Sequence, residues 1–131
     1  MPEPLVVDAS ALVDLLLRND VGIRVEFRLR GQELHAPAHL DAEVLSALGR
    51  LHRDGERDDE QVAQRLDALA TAPIERHPLS NLLAGAWTRR HTLRLVDGLY
   101  VELAEQLDAT LLTTDGPLAA ATDIAELITH P

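Results

Sequence analysis

The sequence predicts an α/β fold, a parallel sheet carrying helices on both faces. Three observations lead there. Short apolar runs of strand length alternate with longer stretches in which apolar residues recur at the helical period. No segment repeats and none is of low complexity, so one alternating pattern runs from end to end. At 131 residues and 46% hydrophobic content the chain closes one sizeable core and is too short for two ordinary domains, so residues 1–131 are expected to form a single domain.

The first strand is the run Leu5, Val6, Val7, which delivers a carboxylate at Asp8 and a hydroxyl at Ser10 before the apolar pattern resumes at Ala11. Helices are expected over 11–17 and 21–29, the second broken by Gly31, and a short strand around Leu34 ends at Pro37. Leu40, Val44, Ala47, Leu48 and Leu51 then keep the helical spacing up to Gly55. A second amphipathic helix over 58–71 is built on Val62, Leu66 and Leu69, and the stretch IERH at 74–77 reads as a brief strand between two prolines. Residues 79–91 read as helical, as do 97–107, with Leu99, Leu103 and Leu107 as the buried stripe. A strand over 110–114 enters Asp115-Gly116-Pro117, read as a turn, and 124–129 supplies a last short strand.

Charge and composition exclude several activities. The 22 acidic residues outnumber 12 basic ones for a net charge of -10, unlike the basic surface by which a nucleic-acid binder ordinarily neutralises phosphates. Every basic residue is arginine, so the lysine of a P-loop, a phosphoacceptor receiver domain or a haloacid-dehalogenase-like phosphatase is missing. Three aromatics, Phe27, Trp87 and Tyr100, make no platform for stacking successive bases. Without cysteine there is neither a disulfide framework nor a thiolate metal site. No apolar run reaches the length of a membrane span and no basic segment precedes the first strand, so a soluble cytoplasmic protein without membrane attachment is expected.

In a parallel α/β sheet, ligands sit outside the carboxyl ends of the strands. Asp8 and Asp115 each lie just past such an end, and Asp97 begins the helix leading to the second of them. Projected at about 100° per residue, Glu43 falls about 60° from Leu40 and about 40° from Ala47, on the edge of an apolar stripe where a charge needs a partner. Each residue also has a plainer reading. Asp97 suits a helix N-cap, Asp115 a turn and Ser10 a cap, while Glu43 could reach solvent and leave Asp41 in its place. Two carboxylates about 4 Å apart repel by roughly 4 kcal/mol at an effective dielectric near 20. Protonation or a divalent cation must relieve such crowding, and an all-oxygen set selects a hard ion, Mg²⁺ or Mn²⁺. His35 and His39 have the spacing of a helical metal pair, but Pro37 stands between them.

LVVDASALVDLLL at 5–17, LHAPAHLDAEVLSALGRL at 34–51 and VDGLYVELAEQLDATLLTTD at 96–115 resemble the three motif blocks of the PIN-domain ribonucleases, specifically the VapC-type toxins of prokaryotic toxin-antitoxin pairs. The resemblance implies a sheet in the order 3-2-1-4-5 and an acidic metal cluster of Asp8, Glu43, Asp97 and Asp115, with Ser10 and Thr113 as hydroxyls beside it. It further implies Mg²⁺-dependent (or Mn²⁺-dependent) hydrolysis of RNA leaving 5′-phosphate and 3′-hydroxyl ends. Two protein partners come with it, an antitoxin that covers the acidic groove and a second copy of the chain. Arg89, Arg90 and Arg94, just ahead of Asp97, are candidates for docking RNA phosphates, and Trp87 for a core or dimer contact. One departure is Gly98, where the family usually has alanine after the aspartate, a change that could loosen Asp97. The alternative reading is therefore a catalytically silent PIN-fold module that binds or regulates.

Overall fold

The computed structural model describes residues 1–130. Five strands, β1 (Pro4–Val7), β2 (Glu33–Pro37), β3 (Ile74–His77), β4 (Thr110–Thr113) and β5 (Ala125–Leu127), pair in parallel throughout, in the order β3-β2-β1-β4-β5. The expected α/β class and strand order hold. Leu5, Val6 and Val7 are all buried, which is why β1 reads as a continuous apolar run instead of an alternating one: a central parallel strand is covered on both faces. The register pairs Val6 with His35 on one side, and Val6 with Leu111 and Val7 with Leu112 on the other.

Between the strands run α1 (Ala9–Leu17), α2 (Asp20–Leu29), α3 (Leu40–Arg53), α4 (Asp59–Thr71), α5 (Leu83–Thr88), α6 (Leu95–Gln106) and α7 (Gly116–Ala120). Helix α1 packs on α2, α3 and α4, while α5 packs on α6, which also meets β1, β2 and β4. That partition follows from right-handed crossovers, since the chain moves outward from β1 to β3 and then returns across the sheet to β4. Strand order therefore reverses between β1 and β4, and the crevice at their carboxyl ends is where such a fold offers a ligand site. Among the described residues, no helix is long and apolar enough to cross a membrane.

Helix starts were largely written in local chemistry. Asn19 accepts from Gly22 N at 2.7 Å, and Asp58 and Gln61 form a reciprocal capping box at the head of α4. Gly22 sits where a Cβ would overlap the Asp14 carbonyl, so glycine is what lets α2 close on α1.

Three elements differ from the sequence reading. The expected helix over 79–91 is a single 3₁₀ turn, Leu79–Asn81, followed by the shorter α5. The Gln106 side chain bonds the Asn81 carbonyl at 3.0 Å between the two pieces, and the Thr88 hydroxyl and Arg89 guanidinium bond that of Gly85 near the end of α5. Helix α6 starts at Leu95 instead of Asp97. Asp115-Gly116-Pro117 is the beginning of α7, with Asp115 as its N-cap and proline in the first turn, where the missing N–H costs nothing.

Candidate active site

The end of β1 feeds directly into α1, and Asp8 is the residue at the junction. Its backbone is extended and its carboxylate caps the helix, accepting from Ala11 N at 2.9 Å. The cap is therefore Asp8, not Ser10. Ser10 instead turns its hydroxyl back, donating to Asp8 Oδ1 at 2.8 Å and reaching Oδ2 at 3.0 Å. Thr113, at the end of β4, donates to Oδ2 at 2.5 Å and lies 3.2 Å from the Ser10 hydroxyl. The backbone N–H of Asp115 in turn donates to Thr113 Oγ1 at 3.0 Å, and that of Thr114 to Ser10 Oγ at 3.3 Å. Two hydroxyls thus tie the ends of adjacent strands around one carboxylate.

Asp8 is only 4% exposed, and burial pushes its pKa from 3.8 up to about 6. The bonds from Thr113, Ala11 and Ser10 pull it back down, while the charge of Asp115 pushes it further up. Asp115, partly buried, faces Asp8 closely enough to be felt, though its own Oδ1 is engaged by Leu118 N at 3.2 Å.

Glu43, in the first turn of α3, has the partner its position on the apolar edge demands. The buried Tyr100 hydroxyl donates to Oε1 at 2.7 Å. Burial and the bond to Glu43 push the Tyr100 pKa far up, with the charges of Asp8 and Asp97 adding to it, so this phenol stays protonated and remains a donor. His39 Nε2 is 3.4 Å from the same carboxylate oxygen and donates to the Val96 carbonyl at 3.2 Å, its ring tilted against Tyr100 at 4.7 Å between centroids. Asp41, the other candidate on that helix, is paired with Arg76 and faces elsewhere.

Asp97 does not cap α6. Its side chain receives a two-pronged bond from Arg94, Nε to Oδ2 at 2.9 Å and Nη2 to Oδ1 at 3.1 Å. The bond that Arg94 donates to Asp97 raises the Arg94 pKa, and the charges of Asp97, Glu43 and Asp115 add to it, which places one guanidinium within the field of three of the four carboxylates. Arg94 also lines a groove of about 490 Å³ together with Ser10, Asp14, Glu43 and Arg50.

Asp8, Glu43, Asp97 and Asp115 are thus linked through shared electrostatic neighbours, Asp8 feeling Asp115, Tyr100 feeling Glu43, Asp8 and Asp97, and Arg94 feeling Asp97, Glu43 and Asp115; of the four, Glu43 lines the groove. Among the described residues, no three of them bring an oxygen apiece within 4.8 Å of one another. The donor set fits a hard divalent cation nonetheless: it is all oxygen, its central carboxylate is disfavoured as an anion by burial, and a single guanidinium offsets only part of its charge.

Of the three arginines expected near the rim, only Arg94 lines this groove. Arg89 is held by Glu102 at 2.6 Å and by Glu105, bridging α5 to α6, and Arg90 lies over the Trp87 ring at 4.5 Å. Two groove residues escaped the sequence reading. Asp14 lies one helical turn after Ser10, and it accepts from the Thr114 hydroxyl at 2.7 Å; Arg50 is two turns after Glu43. Their spacing was visible, but an aspartate or arginine on an amphipathic helix is ordinarily just its wet face. His35 and His39 do not pair, because Pro37 closes β2 and the helix starts only at Leu40, so the two rings leave different elements. Gly98 has a packing reason: it is buried against α5, where a Cβ would stand 3.2 Å from Ala86 backbone atoms.

Residues 5–123 match the PIN domain family. Ribonuclease VapC3 of Mycobacterium tuberculosis is 56% identical over 128 residues, covering 97% of this chain and 93% of that protein. Ribonuclease VapC12 of the same organism is 41% identical over 116 residues, covering 88% and 89%. Among solved structures, PAE2754 from Pyrobaculum aerophilum superposes with a TM-score of 0.68 at 30% identity, over 93% of this chain and 81% of that one. A toxin-antitoxin complex from Klebsiella pneumoniae gives a TM-score of 0.72 at 15% identity, covering 97% and 99%, a likeness of fold. On the match across its length and on these relatives, the chain belongs to the PIN domain family, in its VapC branch.

Proposed function

We propose that this chain is an Mg²⁺-dependent endoribonuclease, the toxin of a type II toxin-antitoxin pair acting in the cytoplasm. The observation that carries the reading is Asp8, a buried carboxylate with a raised pKa at the reversal of strand order, which feels the charge of Asp115 and shares the field at Tyr100 with Glu43 and Asp97. The names of the M. tuberculosis relatives agree with it.

Asp8, Asp97 and Asp115 would hold the ion, Mg²⁺ or Mn²⁺, with Glu43 reaching it through water or orienting the attacking water. When bound, the ion supplies Lewis acidity at the scissile phosphate. Ser10 and Thr113 fix both oxygens of Asp8, so the central ligand cannot rotate away. Tyr100 does the same for Glu43, as a neutral hydroxyl donor that holds that carboxylate in place. Arg94, 72% exposed on a flexible stem, docks a phosphate of the RNA, and Arg50 lines the same groove to continue the track. The products carry 5′-phosphate and 3′-hydroxyl ends.

The same acidic groove suits an antitoxin that inserts an arginine, since a guanidinium already bonds Asp97 there in a two-pronged fashion. A second copy of the chain would cover the apolar surface of Leu83, Trp87, Leu95 and Val96, all exposed around one pocket beside α6.

Expressing the chain alone and as Asp8→Asn tests the reading. Wild type should arrest growth and create new RNA 5′ ends bearing phosphate, and the variant should do neither. Equal growth and no new ends from wild type would leave only a silent module.

A further inference from the structure

Away from the groove, the β2–β3 junction carries a second set of metal-ligating groups. The tripeptide pattern Glu-x-His occurs on both strands, as Glu33-Leu34-His35 and Glu75-Arg76-His77. In the parallel register His35 sits opposite Glu75 and Pro37 opposite His77, so the alternation of side chains puts Glu33, His35, Glu75 and His77 on one face of the sheet. His35 Nδ1 lies 2.9 Å from His77 Nε2 and 3.3 Å from Glu75 Oε2, and that oxygen is 3.9 Å from His77 Nε2. Among the described residues this is the one trio of histidine and carboxylate donors that all fall within 4.8 Å of one another.

Three ligand atoms from two adjacent strands converge here. The other ring nitrogen of His35, Nε2, meets Glu33 Oε1 at 2.9 Å and donates to it, which leaves Nδ1 as the nitrogen turned toward His77 and Glu75. One divalent cation placed between them would take a lone pair from each of the three. His35 is moreover buried, where each ring nitrogen needs a partner.

We propose that His35, Glu75 and His77 form a binding site for one borderline divalent transition-metal ion, best suited to Zn²⁺, which clamps the edge strand β3 to β2. The dimensions agree. Tetrahedral Zn²⁺ with ligand bonds of about 2.0–2.2 Å sets its donors about 3.3 Å apart, and the observed separations of 2.9, 3.3 and 3.9 Å bracket that value. Glu33 supplies the carboxylate that a metal-ligating histidine ordinarily contacts through its other N–H, fixing tautomer and ring orientation. Two imidazoles and one carboxylate select Zn²⁺ over the hard ions suited to the all-oxygen groove, so the sites differ in chemistry as well as place. Glu75, with its side chain 67% exposed, provides the way in and leaves the fourth position to water.

Calorimetric titration of the full, metal-free chain with Zn²⁺ alone tests this, with thermal melts alongside. Wild type should bind one equivalent at this site and melt roughly 10 °C higher when free Zn²⁺ exceeds the dissociation constant by about a hundredfold. Asp8→Asn should keep that response, while His77→Ala should lose at least tenfold in affinity. Glu75→Gln, an isosteric change on an exposed side chain, should weaken binding without altering the metal-free melt and so decides the matter if His77→Ala folds poorly. No binding by wild type, equal binding by wild type, His77→Ala and Glu75→Gln, or loss of binding in Asp8→Asn would overturn the site. The ribonuclease reading stands or falls separately.

Discussion

Asp8 combines two duties that pull in opposite directions, capping α1 as an acceptor and sitting in a place that disfavours its charge. Because burial lifts its folded pKa from 3.8 to about 6, the folded state keeps a proton that the unfolded chain releases in between. The stability associated with this group is therefore full below about pH 4 and is lost as the pH rises through 6. A shift of this size corresponds to about 3 kcal/mol. Urea denaturation of wild type and Asp8→Asn in metal-free buffer should show the difference between them moving by that amount against wild type from pH 4 to pH 7, and staying flat above. Tyr100→Phe addresses the neighbouring carboxylate. It leaves Glu43 with His39 as its remaining close contact and should lower stability by about 1–2 kcal/mol, read from the denaturation midpoint. The acidic positions were legible in the sequence because each follows a strand end or sits on a stripe edge. Their partners were not: Tyr100 is 57 residues from Glu43 and Thr113 is 105 from Asp8, separations that no local period reports.

At the level of elements, apolar spacing identified every strand and all the long helices, since each must bury a face to persist. What escaped it were short pieces governed by single hydrogen bonds. The expected helix after β3 is divided into a 3₁₀ turn and α5, and Asp115 turns an expected bend into α7. Two glycines at helix contacts separate close approach from mere tolerance. Gly22→Ala drives a methyl into the Asp14 backbone, so α1 and α2 must part; a loss of about 3 kcal/mol or more is expected in chemical denaturation. At Gly98 the added methyl meets Ala86 at 3.2 Å, a contact eased by small shifts, and the gain in helix propensity of up to about 1 kcal/mol offsets it. Gly98→Ala should therefore leave the melting temperature within a few degrees of wild type. A large drop would mean that α5 and α6 are packed more rigidly than their small residues suggest.

For the whole molecule, the net charge of -10 is concentrated in meaning if not in place, because part of it surrounds the reversal point of the sheet. At neutral pH, millimolar Mg²⁺ should raise the melting temperature of wild type by an amount set by its concentration over the dissociation constant, and the rise should be absent in Asp8→Asn. An equal rise in both would point to general screening of the surface. The topology also has a bearing on how copies of this chain meet. The sheet is open at both margins, where β3 offers four residues, three of them Glu75, Arg76 and His77, and β5 offers three, with Glu126 tied to Arg28 of α2. Brief, charged margins are poor templates for adding a foreign strand, which guards against fibrous aggregation even when the protein is abundant. Self-association of this chain is thereby steered toward helix surfaces and away from continuation of the ladder.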